Sequence, residues 1–180
     1  LMRQAGFRLA LFGLESANQT TLDRLVKGLT VRQIEDGAKA AAKAGLDVHL
    51  TVMFGYPWEG EEEILKTVDL ARRLLRKGHA YTLQVTMVVP YPGTPLFREL
   101  DATGLLTTRE WDDYDMRRQV MRSGVPEEVT KDAVRRVYRA FLHPETLTRR
   151  ILSTRDPLAD IKFYWRGFMS VVGHLKDFKG

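Results

Sequence analysis

The chain has 180 residues, of which 44% are hydrophobic and 28% charged, with a mean hydropathy of −0.27. That composition is enough for a domain with a real core, and it excludes a disordered tail, a collagen-like fibre and a disulfide-stapled mini-protein. No apolar run approaches the roughly 20 residues of a membrane-spanning helix. With no cysteine, the chain carries no disulfide, thiolate zinc site or self-contained iron–sulfur cluster.

The net charge of +5 is unevenly placed, +1 over residues 1–108 and +4 over residues 109–180. A basic C-terminal part is read either as a solvated helical surface or as a contact for an anionic partner.

The elements follow in order. Leu9–Leu14 is an apolar run expected as a strand buried on both faces. Asn18 caps a short helix through Leu22 and Leu25 that stops at Gly28. Thr30 and Gln33 form a capping box for an alanine-rich helix closed by Gly45. Val48–Phe54 is a second buried strand, broken by Gly55 and Pro57. Glu59, Glu61, Glu62 and Glu63 open a helix whose basic end runs to Gly78, in the sense the helix dipole favours. Leu83–Val89 is a third strand, stopped by Pro90 to Gly93. Thr94 and Pro95 start a further helix that ends at Gly104. Residues 109–121 read as an irregular loop, Pro126 to about Leu142 as a helix ended by His143-Pro144, and the remainder as helical. Ile161–Phe178 has the pattern of an amphipathic helix, either docked on the preceding helix or laid against a membrane surface.

Alternation of strand and helix at this spacing requires parallel crossovers. The expected fold is therefore α/β, with three parallel strands forming a partial (β/α) barrel over residues 1–108 and a helical C-terminal extension over 109–180. An open three-layer sheet is the alternative. Helices are expected on one face of the sheet, and the other face is expected to be apolar and partly exposed.

Ligands in parallel α/β folds meet the carboxyl ends of the strands. Glu15 leaves the first strand as a carboxylate suited to hydroxyls or an ammonium group, or else as a loop acid. Ser16 reads as a turn residue, Lys27 as a helix-end cation, and Thr51 as a strand threonine packed through its methyl. His49, His79, His143 and His174 share no ligand spacing, so neither a catalytic residue nor a metal ligand is assigned. The GxSxG, Walker and GxGxxG patterns are absent.

Gly13-Leu14-Glu15-Ser16, then Leu22, Lys27-Gly28 and Thr30, then Phe54-Gly55-Tyr56-Pro57 with Glu59 and Glu62, then Pro90-Tyr91-Pro92-Gly93-Thr94-Pro95-Leu96, occur in the order of a known family. The stretch from Met2 to Leu106 resembles the C-terminal half of a radical S-adenosylmethionine barrel, nearest the branch that carries a cobalamin-binding domain. The resemblance implies a cytoplasmic enzyme, one that could also lie at the membrane periphery, performing radical chemistry on a small-molecule substrate. It would use S-adenosylmethionine, a [4Fe-4S] cluster held by cysteines outside this chain, and cobalamin on a further domain. It also implies that the chain, which starts at Leu1 without Met, is a truncated piece lacking the N-terminal half of the barrel and inactive alone. Glu15, with Ser16 beside it, falls where the family contacts the nucleoside or amino-acid part of S-adenosylmethionine. Lys27 falls against its carboxylate, Thr51 toward the ribose and Val89 near the adenine. The alternative function is a non-catalytic binding module whose basic helices contact anionic lipid or nucleic acid; under the leading reading no nucleic-acid partner is expected.

Overall fold

A computed structural model describes residues 1–153 together with Trp165, Arg166, Met169 and Gly173. Three strands, β1 (Leu9–Glu15), β2 (Asp47–Phe54) and β3 (Thr82–Met87), form one parallel sheet in the order β1-β2-β3. Between β1 and β2 lie α1 (Gln19–Arg24) and α2 (Val31–Lys43); α3 (Glu61–Arg76) connects β2 to β3. After the sheet come α4 (Pro95–Ala102), a single 3₁₀ turn at Trp111–Asp113, α5 (Glu127–Arg139) continued by a 3₁₀ turn at Ala140–Leu142, and α6 (Pro144–Ser153). The α/β class and the parallel strands are as expected. As expected, the α5 segment ends at His143-Pro144, where His143 is extended, and helix resumes at once, with Pro144 at the first helical position of α6, where a missing N–H costs nothing.

The strands alternate instead of being buried on both sides. Val48, Leu50, Val52 and Phe54 of β2 are buried with Leu14 of β1 and with Leu83, Val85 and Met87 of β3. Side chains two apart share a face, so these residues form one apolar surface. It is covered by Ile34 and Ala38 of α2, by Ile64, Val68, Ala71 and Leu74 of α3, and by Val134, Val137 and Tyr138 of α5. The opposite face is set by the register rows Leu11–His49–Thr82 and Gly13–Thr51–Gln84, followed by Met53–Thr86. That face is partly exposed, but it is not the apolar surface expected, because His49, Thr51, Thr82, Gln84 and Thr86 make it largely polar. The apolar side chains exposed there, Leu9 and Leu11, belong to the edge strand β1.

Local chemistry accounts for the helix starts. Thr30 accepts from Gln33 N at 3.1 Å while Gln33 Oε1 accepts from Thr30 N at 2.8 Å. Glu61, Glu62 and Glu63 crowd the first turn of α3, with Arg73 and Arg76 in its last turn. Thr94 accepts from Phe97 N at 3.2 Å, ahead of Pro95.

The two edges of the sheet differ. At β3, the Tyr138 hydroxyl accepts from Val85 N at 3.2 Å and donates to Val85 O at 3.3 Å. Beyond it, Met87 N donates to Met116 O at 3.0 Å. One phenol and one loop carbonyl thus occupy ladder groups that an edge strand would otherwise leave open.

The loop of residues 107–120 is closed at its base. Leu106 and Met121 form an antiparallel bridge, Thr107 N donates to Val120 O at 3.0 Å, and Arg122 N donates to Leu105 O at 2.8 Å. Among the described residues no helix is long and apolar enough to cross a membrane. The amphipathic helix expected over Ile161–Phe178 lies outside the described residues, apart from Trp165, Arg166, Met169 and Gly173.

Candidate functional site

Parallel strands bring Glu15, Gly55 and Pro90 to one rim, with Val88 N donating to Phe54 O at 2.9 Å to tie two strand ends together. At the end of β1 the ladder slips: Gly13 pairs with Thr51 but Glu15 pairs with Val52. Ser16 N donates to Leu14 O at 2.7 Å, closing a three-residue turn around Glu15, whose φ is 57°. A γ-turn with positive φ is rare and strained for a residue with a side chain. Its effect is to reverse the alternation, sending the Glu15 side chain back over the open face above Gly13.

There the Glu15 carboxylate meets Lys27 Nζ at 3.0 Å. A β-carbon on Gly13 would stand 2.3 Å from Glu15 Oε1 and 2.4 Å from Lys27 Nζ, so the pair occupies the space a side chain would fill. Lys27 is delivered by the end of α1. Val26 N donates to Asp23 O and Lys27 N to Leu22 O, both at 3.0 Å, with Val26 at φ 53° and Gly28 at φ 67°. This is the helix-ending pattern usually built on glycine, and here valine occupies the left-handed position. Lys27 therefore lies beyond the last turn of α1 rather than within it.

Thr51 is the register neighbour of Gly13 on the open face, beside the ion pair. On the same face His49 Nδ1 is 2.7 Å from Thr82 Oγ1, and burial holds the His49 imidazole below its usual range. Ser16 faces inward and is fully buried. Val89 lies past the end of β3 and packs with Tyr114 and Val120 of the 107–120 loop. The structure thus brings Glu15, Lys27 and Thr51 together, puts Ser16 directly beneath them, and sets Val89 apart under that loop.

Beneath the rim is a buried acid that the sequence pattern presents as one of the glutamates opening α3. Glu59 is 1% exposed and precedes the first turn of α3. Its Oε1 accepts from Ser16 Oγ at 2.6 Å, Thr21 Oγ1 at 2.6 Å and Asn18 Nδ2 at 3.2 Å, while Oε2 is buried without a partner among the described residues. Asn18 stands at the N-cap of α1 as expected, but its carboxamide does not cap the helix: it donates to Ser16 Oγ, to Glu59 and to Glu63 O at 2.9 Å. Gly60, which separates Glu59 from the run Glu61–Glu63, is the signal that sets this acid apart. Gly124 packs against the main chain of Glu59, since a β-carbon there would lie 2.7 Å from the Glu59 carbonyl oxygen.

Tyr56 lines the same turn. Burial, then the carboxylates of Glu15 and Glu59, push its phenol far above the usual range, so it holds its proton and can donate. Its ring stacks on Trp58 at 5.3 Å, and the Arg24 guanidinium lies over the Trp58 ring at 4.2 Å. A carboxylate paired with an ammonium at a glycine-floored rim can accept from hydroxyl or ammonium donors on one side and donate to a carboxylate on the other. Among the described residues no group of three or more His, Cys, Asp or Glu is placed to hold a metal ion.

No protein-family model matches the chain. It is 33% identical over 153 residues, 83% of its length, to an uncharacterized methyltransferase of Pyrococcus horikoshii, covering 32% of that protein. It is 31% identical over 122 residues, 66% of its length, to the bacteriochlorophyllide d C-8(2)-methyltransferase of Chlorobaculum tepidum, covering 26% of that protein. The chain therefore spans a quarter to a third of the length of these curated relatives. Both are named for methyl transfer, and neither name carries radical chemistry, an iron–sulfur cluster or cobalamin. That corrects the reading of the chain as part of a radical S-adenosylmethionine enzyme with a [4Fe-4S] cluster and a cobalamin domain. It equally removes support from the non-catalytic binding module with a lipid- or nucleic-acid-binding surface. What the chain resembles is a pair of enzymes named as methyltransferases.

Proposed function

We propose that this chain is part of a methyltransferase that binds S-adenosylmethionine at the carboxyl rim of the sheet and methylates a small organic substrate. The observation that carries the reading is the Glu15–Lys27 pair over Gly13, in a chain whose relatives are named methyltransferases. S-adenosylmethionine supplies an electrophilic methyl group on a cationic sulfur. The chain's residues fit the rest of that molecule. Glu15 accepts from its ribose hydroxyls or ammonium, Lys27 faces its carboxylate, and Gly13 lets the ligand approach the backbone. Thr51 offers a hydroxyl beside them. Val89 provides apolar strand-end main chain on the adenine side, and Ser16 holds the turn from below.

The polar open face belongs to the same proposal. In a doubly wound sheet both faces are covered by helices and read apolar, whereas a face of His49, Thr51, Thr82, Gln84 and Thr86 suits the wall of a ligand-lined partial barrel. With β3 closed by Tyr138, further strands would add at β1, where Leu9 and Leu11 are exposed. On this reading residues 1–108 would form that wall and 109–180 would follow as an extension, whose helix α5 packs back onto the sheet.

Calorimetric titration of S-adenosylmethionine into the natural-length protein tests the reading. Glu15→Gln should weaken binding by about 1–3 kcal/mol and Lys27→Ala by less. Equal affinity in the folded Glu15→Gln protein removes the site. Transfer of labelled methyl from S-adenosylmethionine to a small-molecule acceptor tests the activity.

A further inference from the structure

Glu59 presents an arrangement that burial alone does not explain. A carboxylate removed from water is costly, and an apolar or amide side chain fills the same space at less cost. Here one oxygen gathers three donors, from Ser16, Asn18 and Thr21, all in the six residues that follow Glu15. The other oxygen is buried without a partner among the described residues. An amide placed there would be a weaker, uncharged acceptor for the three donors and would leave two N–H groups buried at the Oε2 position with no acceptor among the described residues.

Ser16 is the link to the rim. Its hydroxyl donates to Glu59 and accepts from Asn18 N at 3.1 Å, and its own N–H closes the turn that holds Glu15 at φ 57°. Strained backbone persists only where its surroundings over-determine it. The surroundings of this turn are the Glu59 network on one side and the Lys27 pair on the other.

We infer that Glu59 is a positioning residue: acting through Ser16, it holds the Glu15 carboxylate over Gly13 in the orientation that receives the ligand. This rests on the rim being the S-adenosylmethionine site, but the effect on the Glu15 turn does not.

The test is a double-mutant cycle in the natural-length protein, read by S-adenosylmethionine affinity and, separately, by urea unfolding. Glu59→Gln should weaken binding by about tenfold. In a Glu15→Gln background it should weaken binding no further, while its loss of stability stays the same in both backgrounds. A merely structural glutamate gives losses of affinity that multiply, and that result overturns the inference, as does unchanged affinity in Glu59→Gln alone. Ser16→Ala cuts the same link without altering the acid, and serves if Glu59→Gln does not fold. If Glu15→Gln binds as tightly as the parent, the rim site fails and a crystal structure of Glu59→Gln decides the inference alone. Release of Glu15 from positive φ with loss of the Lys27 contact supports it; an unchanged turn overturns it.

Discussion

Glu15 and Lys27 meet 3.0 Å apart in the space a side chain on Gly13 would occupy. They come from the end of a strand and the end of a helix, and each arrives through a residue with positive φ, Glu15 itself in one case and Val26 in the other. Two strained connections converging on one ion pair place the backbone strain of this region at the site.

Gly13→Ala should separate fold from site. The added methyl displaces the ends of two flexible side chains rather than backbone, so unfolding free energy should change by no more than about 1 kcal/mol. Affinity for S-adenosylmethionine should fall about tenfold, as for loss of a charged hydrogen-bond partner. Titration calorimetry beside urea denaturation reads both.

Val26→Gly should stabilise the protein. Val26 is 86% exposed at φ 53°, so it has little burial to lose, and relief of the left-handed strain is worth about 1–2 kcal/mol less the added freedom of glycine in the unfolded chain. A higher urea midpoint is the expected result. A lower one would mean that the valine makes a contact that outweighs the strain.

Tyr138→Phe should lower stability by about 1–2 kcal/mol, because Val85 N–H and C=O both lose the hydroxyl that satisfies them while remaining buried. The phenylalanine ring still covers the β3 edge, so a lower urea midpoint without earlier aggregation is the expected result.

Acid should destabilise the fold through His49. Burial holds its folded-state pKa below the ordinary value, so in the window between the two the unfolded chain binds more protons. Stability is then full above the ordinary histidine pKa and falls as pH drops through that window. His79 contributes in the same direction, through burial and then Lys39, Lys77 and Arg149. Urea midpoints compared at about pH 7.5 and about pH 5 should differ less in His49→Gln than in the parent.

The parts of the fold written locally are legible in the chain. The Thr30–Gln33 box, the Thr94-Pro95 start and the acidic first turn of α3 stand where sequence puts them, because each is satisfied within four residues. The second face of the sheet is less legible: His49 and Thr51 mark it in β2, but Leu9 to Leu14 reads as one apolar run, and only helices on one side turn it into an alternation. At the site, Glu15 and Lys27 stand out as charges near strand and helix ends, but their meeting depends on two left-handed residues that no local pattern announces. Glu59 is hidden for the opposite reason, since three following glutamates make a buried acid resemble a solvated one. The chemistry itself had to come from the relatives, because a binding rim does not announce the reaction performed on it.

The bridge between Leu106 and Met121 gives the loop above it an independence of its own. Since departure and return are stitched to each other, what lies between can lengthen, shorten or change sequence without shifting the sheet or α5. The cassette touches the body through Met116 at the end of β3, through Tyr114 over Val89 and against Tyr91, whose hydroxyl donates to Tyr114 O, and through Arg109 paired with Asp101 of α4. Divergence among proteins built on this frame should therefore gather between residues 107 and 120, where a new acceptor molecule could be accommodated by exchanging one insert while the rim is inherited unchanged.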